Sequence, residues 1–572
     1  MRKQESENEE GQLSNISHSM KYLVIIETQK VKSYLFASPT MRETRGASIL
    51  LDLLNRKQTR ELLKEFTPTT VEEIYLGGGS GRVLFEKKTD AEVFKQTLEE
   101  RYRRVTVNAK VSIELFEGQR NEAFPDWVSR GVGESRKNKL GKSECIPLLG
   151  GRWIMPCSSC GREPAERSLQ EHGAHRLCRA CMLKRESVNY LYQAIKPGES
   201  RERKRRLKSS VDLADLYSAE FIFTTLVRYC EARKCSVALP QDFSDIGKAS
   251  RPANYMGLIY ADGNRMGETV KDLGRLFPRD EDARIAYRAF SEIVDQATRE
   301  AAVEAVLETV TLTTEGLLPV EFIMAGGDDL ILAVPAHNTL DVAIVFMKKY
   351  QEKTANLQKE YLEKGNLAAM FAPEGLTTSA GVVIAHAGYP ASDLMSMSAE
   401  LMKIAKKKSS DGMLRGEQEK GTVDFMIISE SVSETIKDRR KKEYSKDGIV
   451  LTEKPYTLDQ CRWLLDTIRA MKEEGVPRTK LKALYSSLFQ NPLQAQFDAL
   501  RIKERLKATG SLQPGNIIDR LFVELDLFPF RRGADARWTT PLADIIEIYD
   551  YVQPEKGAES SEIVSARFGG GS

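Results

Sequence analysis

The sequence lacks the features that mark several specialised classes of protein. Five of its 572 residues are histidine and eight are cysteine, which is too few cysteines for a disulfide-stapled scaffold. No apolar run reaches about 18 residues, and the polar residues 1–19 lack the apolar core of a signal peptide. The formal net charge is only +3, so composition does not indicate a polyelectrolyte binder. These absences predict a cytoplasmic protein that makes no contact with a membrane.

The chain has enough apolar residues, 41% by composition, to form several cores. Because domains average about 100–200 residues, the length predicts three or four of them. Residues 1–19 are predicted to be a disordered tail and the glycine-rich residues 561–572 a flexible one.

One order of strands and helices is predicted twice. In the first half, the helical signals at 41–64 and 89–103 alternate with strand signals at 22–27, 71–76, 82–86 and 105–116. In the second half, the helical signals at 281–307 and 338–362 alternate with strand signals at 256–262, 320–325, 330–334 and 377–386. Each half therefore reads β-α-β-β-α-β, which predicts a ferredoxin-like sheet with helices on one face.

These signals predict the α+β fold class and a domain order. Two ferredoxin-like domains are assigned to residues 20–150 and 251–430, and a zinc-binding module with a helical linker lies between them at 151–250. After residue 457 apolar residues recur at helical spacing, so residues 431–560 are predicted to form an all-α C-terminal domain.

The turn between the second and third strands differs between the two copies. It reads Gly-Gly-Gly-Ser at 77–80 and Gly-Gly-Asp-Asp at 326–329. Two carboxylates about 4 Å apart repel by ~1 kcal/mol in water but by ~4 kcal/mol at the effective dielectric of a protein site, so a cation or a shared proton must relieve them. In this topology the end of strand one lies beside the hairpin, which brings Asp262 towards Asp328 and Asp329. Three acids at one sheet end suit two Mg²⁺ or Mn²⁺ ions.

The acidic turn also has a plainer interpretation, because Gly-Gly-Asp-Asp is good chemistry for a surface turn. Asp262, at the expected place in the repeat, favours the metal interpretation. Gly326 and Gly327 fit a tight turn and leave room for a phosphate or a base near the backbone. On the helix after the last strand, Lys403 and Lys406 share one face, where they could pair with a triphosphate or form a solvated helix end.

Two Cys-x2-Cys pairs lie between the copies, with Cys157 and Cys160 in the first and Cys178 and Cys181 in the second. This spacing matches a four-thiolate zinc site, and a site filled by thiolates has no open position, which predicts a structural zinc ion. The basic stretch at 201–208 could touch an RNA backbone or form a solvated helix face between domains.

Several stretches resemble those of a known family, the large polymerase-like subunit of type III CRISPR effector complexes. They are QKVKSYLFASPTMRETRGASILL in the first copy, YADGNRMGE, MAGGDDL and SAGVVIAHAGYP in the second, and EKPYTL before the helical region. The resemblance covers roughly residues 20–550. It implies two palm domains that share a pocket for two ATP molecules, with the second palm catalytic.

The resemblance also implies a reaction and a set of partners. The 3′-hydroxyl of one ATP attacks the α-phosphate of the other, pyrophosphate leaves, and cyclic oligoadenylate is the final product. The matching positions are Asp262, Asp328 and Asp329 for the metal ions, Ser379 and Lys406 for phosphate, and Ser80 for the surroundings of the acceptor ATP. Relatives work inside a multisubunit ribonucleoprotein that carries guide RNA and responds to target RNA.

The chain departs from many relatives because it contains no His-Asp dipeptide, which in the family marks a nuclease domain. DNA cleavage by this subunit is therefore not expected, and whether the domain was trimmed or is naturally lacking stays open. Three other functions also stay open: a catalytically silent scaffold, a GGDEF-like cyclic-dinucleotide synthase and a synthase of another AMP conjugate. A scaffold has no need of three clustered acids, and the GGDEF group has Glu-Phe where this chain has Asp329-Leu330. Template-directed polymerisation is the least supported function, because no segment resembles a fingers domain.

Overall fold

The computed structural model describes residues 20–120, 122–140, 154–169, 175–195, 238–363, 369–428, 435–446, 448–508, 517–525, 529–532 and 537–554. Both predicted tails and the basic stretch at 201–208 lie outside these ranges. None of the helices within them is both long and apolar enough to cross a membrane.

The first lobe is a four-stranded antiparallel sheet with five helices. Its strands follow the order β2-β3-β1-β4 and are β1 (Tyr22–Gln29), β2 (Val71–Gly77), β3 (Ser80–Phe85) and β4 (Lys110–Glu117). Its helices are α1 (Val31–Leu35), α2 (Met41–Asp52), α3 (Thr59–Leu63), α4 (Lys88–Thr106) and α5 (Phe124–Leu140). A π-helical turn (Leu53–Gln58) makes α2 and α3 continuous, and the Thr40 side chain caps α2 by accepting a hydrogen bond from the Glu43 amide.

A small cysteine module follows, made of a hairpin and one helix. Its elements are β5 (Arg167–Leu169), β6 (His175–Leu177) and α6 (Arg179–Ile195). The short helix α7 (Phe243–Lys248), which begins with a capping box at Asp242, then leads into the second lobe.

The second lobe contains a six-stranded sheet in the order β14-β11-β10-β7-β9-β8. Its strands are β7 (Tyr255–Gly263), β8 (Glu321–Gly326), β9 (Asp329–Pro335), β10 (Thr378–His386), β11 (Thr422–Ile428) and β14 (Tyr456–Thr457). Its helices are α8 (Met266–Leu276), α9 (Asp280–Thr309), α10 (Thr339–Glu363) and α11 (Ala391–Leu414), and a 3₁₀ turn (Ala336–Asn338) precedes α10. The four strands β10-β7-β9-β8 repeat the fourth-first-third-second order of the first sheet.

The C-terminal region is mixed rather than all-α, so that prediction was wrong. Its helices are α12 (Ile436–Glu443), α13 (Leu458–Glu473), α14 (Arg478–Gln490), α15 (Pro492–Ala508), α16 (Ile517–Glu524) and α17 (Leu542–Ile548). A second small sheet, in the order β12-β13-β16-β15, consists of β12 (Ser445–Lys446), β13 (Ile449–Val450), β15 (Arg531–Arg532) and β16 (Trp538–Thr539). Strands of two residues are too short to show an alternating pattern, and the pairing of β13 with β16 joins residues that lie far apart in the chain. β14 also joins the sheet of the second lobe, so the chain does not change domain cleanly at residue 430.

Both faces of the second sheet are covered, which corrects the expected arrangement with helices on one face. Ile259 and Ala261 pack into a cluster with α9 and α10, whereas Leu258 and Tyr260 pack into a cluster with α11. Residues of the first sheet belong to the same two clusters, with Ile25 in one and Val24 in the other. The two lobes therefore share their hydrophobic cores, because alternate residues of each strand face opposite sides.

Candidate active site

The hairpin turns of the two lobes meet back to back. Gly326 pairs with Asp329 at the end of the β8–β9 hairpin, and Gly77 pairs with Ser80 at the end of the β2–β3 hairpin. A Cβ atom built on Gly78 would lie 3.0 Å from the Cα of Gly327, and both glycines have positive φ, 57° and 59°. Only glycine combines this backbone conformation with so close an approach. The contact places the acidic turn of the second lobe against the first lobe.

The structure brings Asp262, Asp328 and Asp329 together at one end of the second sheet. Asp262 lies opposite Asp329 in the pairing of β7 with β9, and the amide of Gly263 donates a hydrogen bond to the carbonyl oxygen of Asp328 over 3.2 Å. Burial, reinforced by the charges of Asp262 and Asp329, raises the pKa of Asp328 well above its ordinary value. Burial and the charge of Asp262 raise the pKa of Asp329 to about 6. A cation would relieve this concentration of negative charge.

Side chains from three elements surround the acidic cluster, and two of them contact it directly. Lys406 of α11 forms an ion pair with Asp262, with 2.7 Å between Nζ and Oδ2. The Tyr260 hydroxyl donates a hydrogen bond to Oδ1 of Asp329 over 2.9 Å. Lys32 of α1 comes from the other lobe and places its Nζ 3.8 Å from the centroid of the Tyr260 ring. Burial lowers the pKa of Lys32, while the charges of Asp329 and Asp262 act in the opposite direction.

Lys32 was missed in the sequence, although it lies within the first stretch that carries the family resemblance. No local pattern distinguishes it from neighbouring lysines, because its importance comes from a contact between lobes. Lys403 is exposed on α11, and its positive charge contributes to the lowered pKa of Lys32.

Ser379 does not occupy the position predicted for a phosphate contact. It lies opposite Asp262 in the pairing of β7 with β10, but it is completely buried. Its hydroxyl donates a hydrogen bond to the Asn264 side chain over 2.8 Å and lies 3.1 Å from the Thr422 hydroxyl. Because Ser379 is completely buried between these partners, it supports the strand ends and presents no surface to a nucleotide.

A cavity of about 930 Å³ lies between the lobes beside the acidic turn. The first lobe lines it with β2 and with Ser80, and the second lobe with α8, α9, Gly327 and Asp328. Ligand pockets typically measure about 300–1,000 Å³, so the space suits a nucleotide. A smaller gap of about 80 Å³ on the other side of the hairpin contact is lined by Lys32, Gly326 and Asp329.

Asp295 of α9 fixes the position of the acidic turn through a hydrogen bond with its backbone. Its Oδ1 accepts a hydrogen bond from the Gly327 amide over 2.9 Å, and Arg56 of the first lobe donates to its Oδ2 over 2.9 Å. The Thr298 hydroxyl donates to the Gly327 carbonyl oxygen over 2.6 Å. Burial raises the pKa of Asp295, but the charges of Arg56 and Arg299 outweigh it and bring the pKa down to about 2. The turn is therefore fixed by a charged group that also joins the lobes.

The donor set at the acidic cluster fits a hard divalent cation. Three carboxylates are the ligands that Mg²⁺ and Mn²⁺ prefer, and phosphate oxygens complete their shells in nucleotide-using enzymes. The ion pair with Lys406 and the hydrogen bond from Tyr260 each take one oxygen of a carboxylate, which orients Asp262 and Asp329 before any cation binds.

The four cysteines converge as predicted. Among the residues that the structure describes, they are the only set of three or more ligating side chains whose ligand atoms all lie within 4.8 Å of one another, so the aspartates are not gathered as tightly. Such a set could bind one zinc ion in tetrahedral geometry.

The cysteine module packs against α2 of the first lobe. Arg185 donates to the fully buried Glu43 over 2.6 Å, and the Ser159 hydroxyl donates to the same carboxylate oxygen over 3.1 Å. The buried Lys184 donates to the Tyr34 carbonyl oxygen over 2.9 Å. The proposed zinc ion would therefore stabilise the lobe that bears Lys32 and Arg56.

The strand order, the acidic hairpin and the adjoining cavity define a palm domain. Residues 255–414, from the start of β7 to the end of α11, match the family model described as Cas10/Cmr2, second palm domain. This stretch includes all three aspartates together with Lys403 and Lys406. No curated protein sequence matches the chain.

Most of the chain also has a fold similar to that of Csm1 in solved structures of Csm1–Csm4 cassettes. The cassette in complex with one ATP matches with a TM-score of 0.51 and 13% identity, over 94% of this chain and 70% of that chain. The cassette in complex with cA3 matches with a TM-score of 0.50 and 12% identity, over 94% of this chain and 70% of that chain. The apo cassette matches with a TM-score of 0.50 and 13% identity, over 88% of this chain and 69% of that chain. The match of residues 255–414 to the second palm domain and the fold shared with these structures support the family resemblance seen in the sequence.

Proposed function

We propose that this protein is a nucleotidyltransferase that converts ATP to cyclic oligoadenylates. The 3′-hydroxyl of one ATP would attack the α-phosphate of a second, forming a phosphodiester bond and releasing pyrophosphate. The observation that carries the proposal is the convergence of Asp262, Asp328 and Asp329 beside the cavity between the lobes. Proteins of the same fold have been crystallised with one ATP and with cA3, which supports these ligands for this chain as well.

The residues of the chain have distinct parts in this chemistry. Asp262, Asp328 and Asp329 would hold two Mg²⁺ or Mn²⁺ ions, which supply activation of the attacking hydroxyl and stabilisation of the leaving pyrophosphate. Tyr260 orients Asp329 through its hydrogen bond. Lys32, close enough for the charges of Asp262 and Asp329 to affect its pKa, would neutralise part of the triphosphate charge.

Lys406 and Lys403 would contribute further positive charge near the acidic cluster, where both lie close enough to Lys32 to help lower its pKa. The Lys406 ammonium is already oriented by Asp262, so it can turn to a phosphate when a divalent cation takes over the carboxylate. Gly326 and Gly327 keep the turn free of side chains, and Ser80 lines the cavity where the acceptor ATP would lie.

We further propose that the protein works as the large subunit of an RNA-guided type III CRISPR complex in the cytoplasm. The relatives that share its fold occur as cassettes with Csm4, so a Csm4-like subunit is the first partner to expect. Guide RNA and target RNA would then be the remaining partners, with target RNA as the activator.

Mass spectrometry of the products formed from ATP tests the proposal. The purified complex, given Mg²⁺ or Mn²⁺ and target RNA, is expected to form cyclic oligoadenylate, and the variant D328A/D329A is expected to form none. Asp411→Ala, an exposed acid on α11, is the matched control and should leave product formation unchanged. Equal synthesis by D328A/D329A would refute the assignment, and absence of product from the unmodified complex would favour the scaffold.

A further inference from the structure

Arg82 projects from the first lobe into the cavity between the lobes. It lies on β3, two residues after Ser80, and its main chain pairs with Ile25 of β1. Its guanidinium carbon lies 4.9 Å from the centroid of the Tyr75 ring, and its Nη1 donates a hydrogen bond to the Ser80 hydroxyl over 3.4 Å. Its Nε is buried and has no hydrogen-bond partner.

Arg82 differs from the other arginines of this cavity, each of which is paired with a carboxylate. The pairs are Arg56 with Asp52 and Asp295, Arg60 with Glu73, Arg288 with Glu72, and Arg299 with Asp295. No ion pair links Arg82 to a carboxylate in the part of the chain that the structure describes. Since a guanidinium partly withdrawn from water is usually paired with an anion, the exception indicates that the counter-ion comes from outside the chain.

The Arg82 guanidinium remains charged despite its surroundings. Burial lowers its pKa to about 10, with a small opposing contribution from Tyr287. At neutral pH it is therefore a half-buried cation held in place by Tyr75 and Ser80, with hydrogen-bond donors left over. Removing such a group from water costs free energy that only a paired anion offsets.

We propose that Arg82, together with Ser80, binds a phosphate group of a nucleotide that lies against the first lobe. A guanidinium offers two parallel N–H donors that match two oxygens of a phosphate, and stacking on an aromatic ring fixes its plane. The opposite wall supplies Met266, Val270 and Phe290, an apolar surface suited to a base. The identification of the nucleotide as ATP rests on the proposed function. The assignment of a phosphate to this site rests on the surroundings of Arg82.

Calorimetric titration of the full chain with a non-hydrolysable ATP analogue and Mg²⁺ tests this site. Arg82→Gln is expected to weaken analogue binding at one site by about 10- to 100-fold, the usual range for losing a charged hydrogen bond. Adenosine, which has no phosphate, should bind equally to both proteins. Arg82→Lys keeps the charge without the planar fork and should recover part of the affinity. Arg104→Gln, an exposed arginine on α4, is the control and should bind like the unmodified protein.

The thermal midpoint of the ligand-free protein separates a binding role from a structural one. Because Arg82→Gln removes a half-buried charge that has no carboxylate partner among the described residues, its Tm should equal or exceed that of the unmodified protein. The proposal would be overturned if Arg82→Gln and Arg82→Lys bound the analogue as tightly as the unmodified protein does. It would also be overturned if Arg82→Gln had a lower Tm and lost affinity for the analogue and for adenosine equally. If the Arg82→Gln substitution weakened only the binding of added pyrophosphate, the proposal would also be overturned, because Arg82 would then contact the leaving group. The titration measures binding and needs no catalysis. A complex that makes no product would therefore contradict the proposed function, but this binding test could still be carried out.

Discussion

Arg56 in the first lobe and Asp295 in the second form a buried ion pair, and the same aspartate accepts the amide of Gly327 in the acidic turn. The side chains are 9% and 12% exposed, so water screens the pair poorly. The position of the proposed catalytic turn is thus coupled to the packing of the two lobes. A change at either residue should affect both stability and nucleotide use.

Arg56→Ala is expected to lower the thermal midpoint, because it removes one of the two cations, Arg56 and Arg299, that neutralise the buried Asp295. Breaking a buried pair from one side typically costs ~3–5 kcal/mol. Differential scanning calorimetry of Arg56→Ala, Asp295→Ala and the double variant measures this, and the double variant should be no less stable than either single one. Additive losses would contradict a direct coupling between the two residues.

The contribution of Asp295 to folding stability should decrease as the pH is lowered. Its pKa is about 2 in the folded protein against 3.8 for the ordinary group, so its stabilisation is complete above about pH 4 and is lost as pH falls towards 2. The shift corresponds to about 2 kcal/mol. The Tm difference between the unmodified protein and Asp295→Asn should therefore shrink as pH is lowered from 5 to 3. A difference that stays constant over this range would show that the charge of Asp295 does not matter.

Lys32→Met should slow oligoadenylate synthesis by about tenfold, the effect of removing one charged contact to a phosphate. Its Tm should change little, because the lysine mainly contacts the Tyr260 ring. Steady-state rates over a range of ATP concentrations measure the effect on kcat and KM. Lys64→Met, an exposed lysine of the same lobe, provides the control. Equal rates for the two variants would remove Lys32 from the site.

Gly327→Ala and Gly78→Ala should each destabilise the protein and reduce product formation. Both positions have positive φ, and a new Cβ would meet the opposing glycine at 3.2 and 3.0 Å. Strain of this kind costs ~1–3 kcal/mol and would push the turns apart. Gly133→Ala on α5, where a Cβ meets nothing within 4 Å, should be neutral or stabilising. Thermal unfolding checks all three variants, and an unaltered Gly78→Ala would mean that the turns can separate freely.

Removal of zinc should loosen the first lobe. Elemental analysis is expected to give one zinc ion per chain, and Cys178→Ser should lower both the zinc content and the Tm, because structural zinc contributes directly to folding. Cys461→Ser, at a buried cysteine outside the module, separates loss of zinc from loss of a buried thiol. Full zinc content in Cys178→Ser would contradict the four-thiolate assignment.

Local chemistry explains what the sequence predicted well. The apolar runs of β7, β9 and β10, the glycine turns and the paired cysteines are all patterns within a few residues, so the repeated strand order and the place of Asp262 beside the acidic turn could be inferred. The end of α4 was less accurate, because the helix continues through Thr106 where a strand was expected. Valine and threonine at 105–107 favour strands locally, and packing of the helix against the sheet overrides that preference.

The repeated unit, the acidic turn and the cysteine cluster could be predicted from the amino-acid sequence alone, because hydrophobic periodicity, turn chemistry and ligand spacing are properties of neighbouring residues. Tertiary contacts were needed to establish that Ser379 is buried, that Lys32 and Arg56 reach across to the second lobe, and that Arg82 faces the cavity with no carboxylate partner among the described residues. These features depend on burial and on contacts between residues far apart in the chain, which no short stretch of sequence specifies.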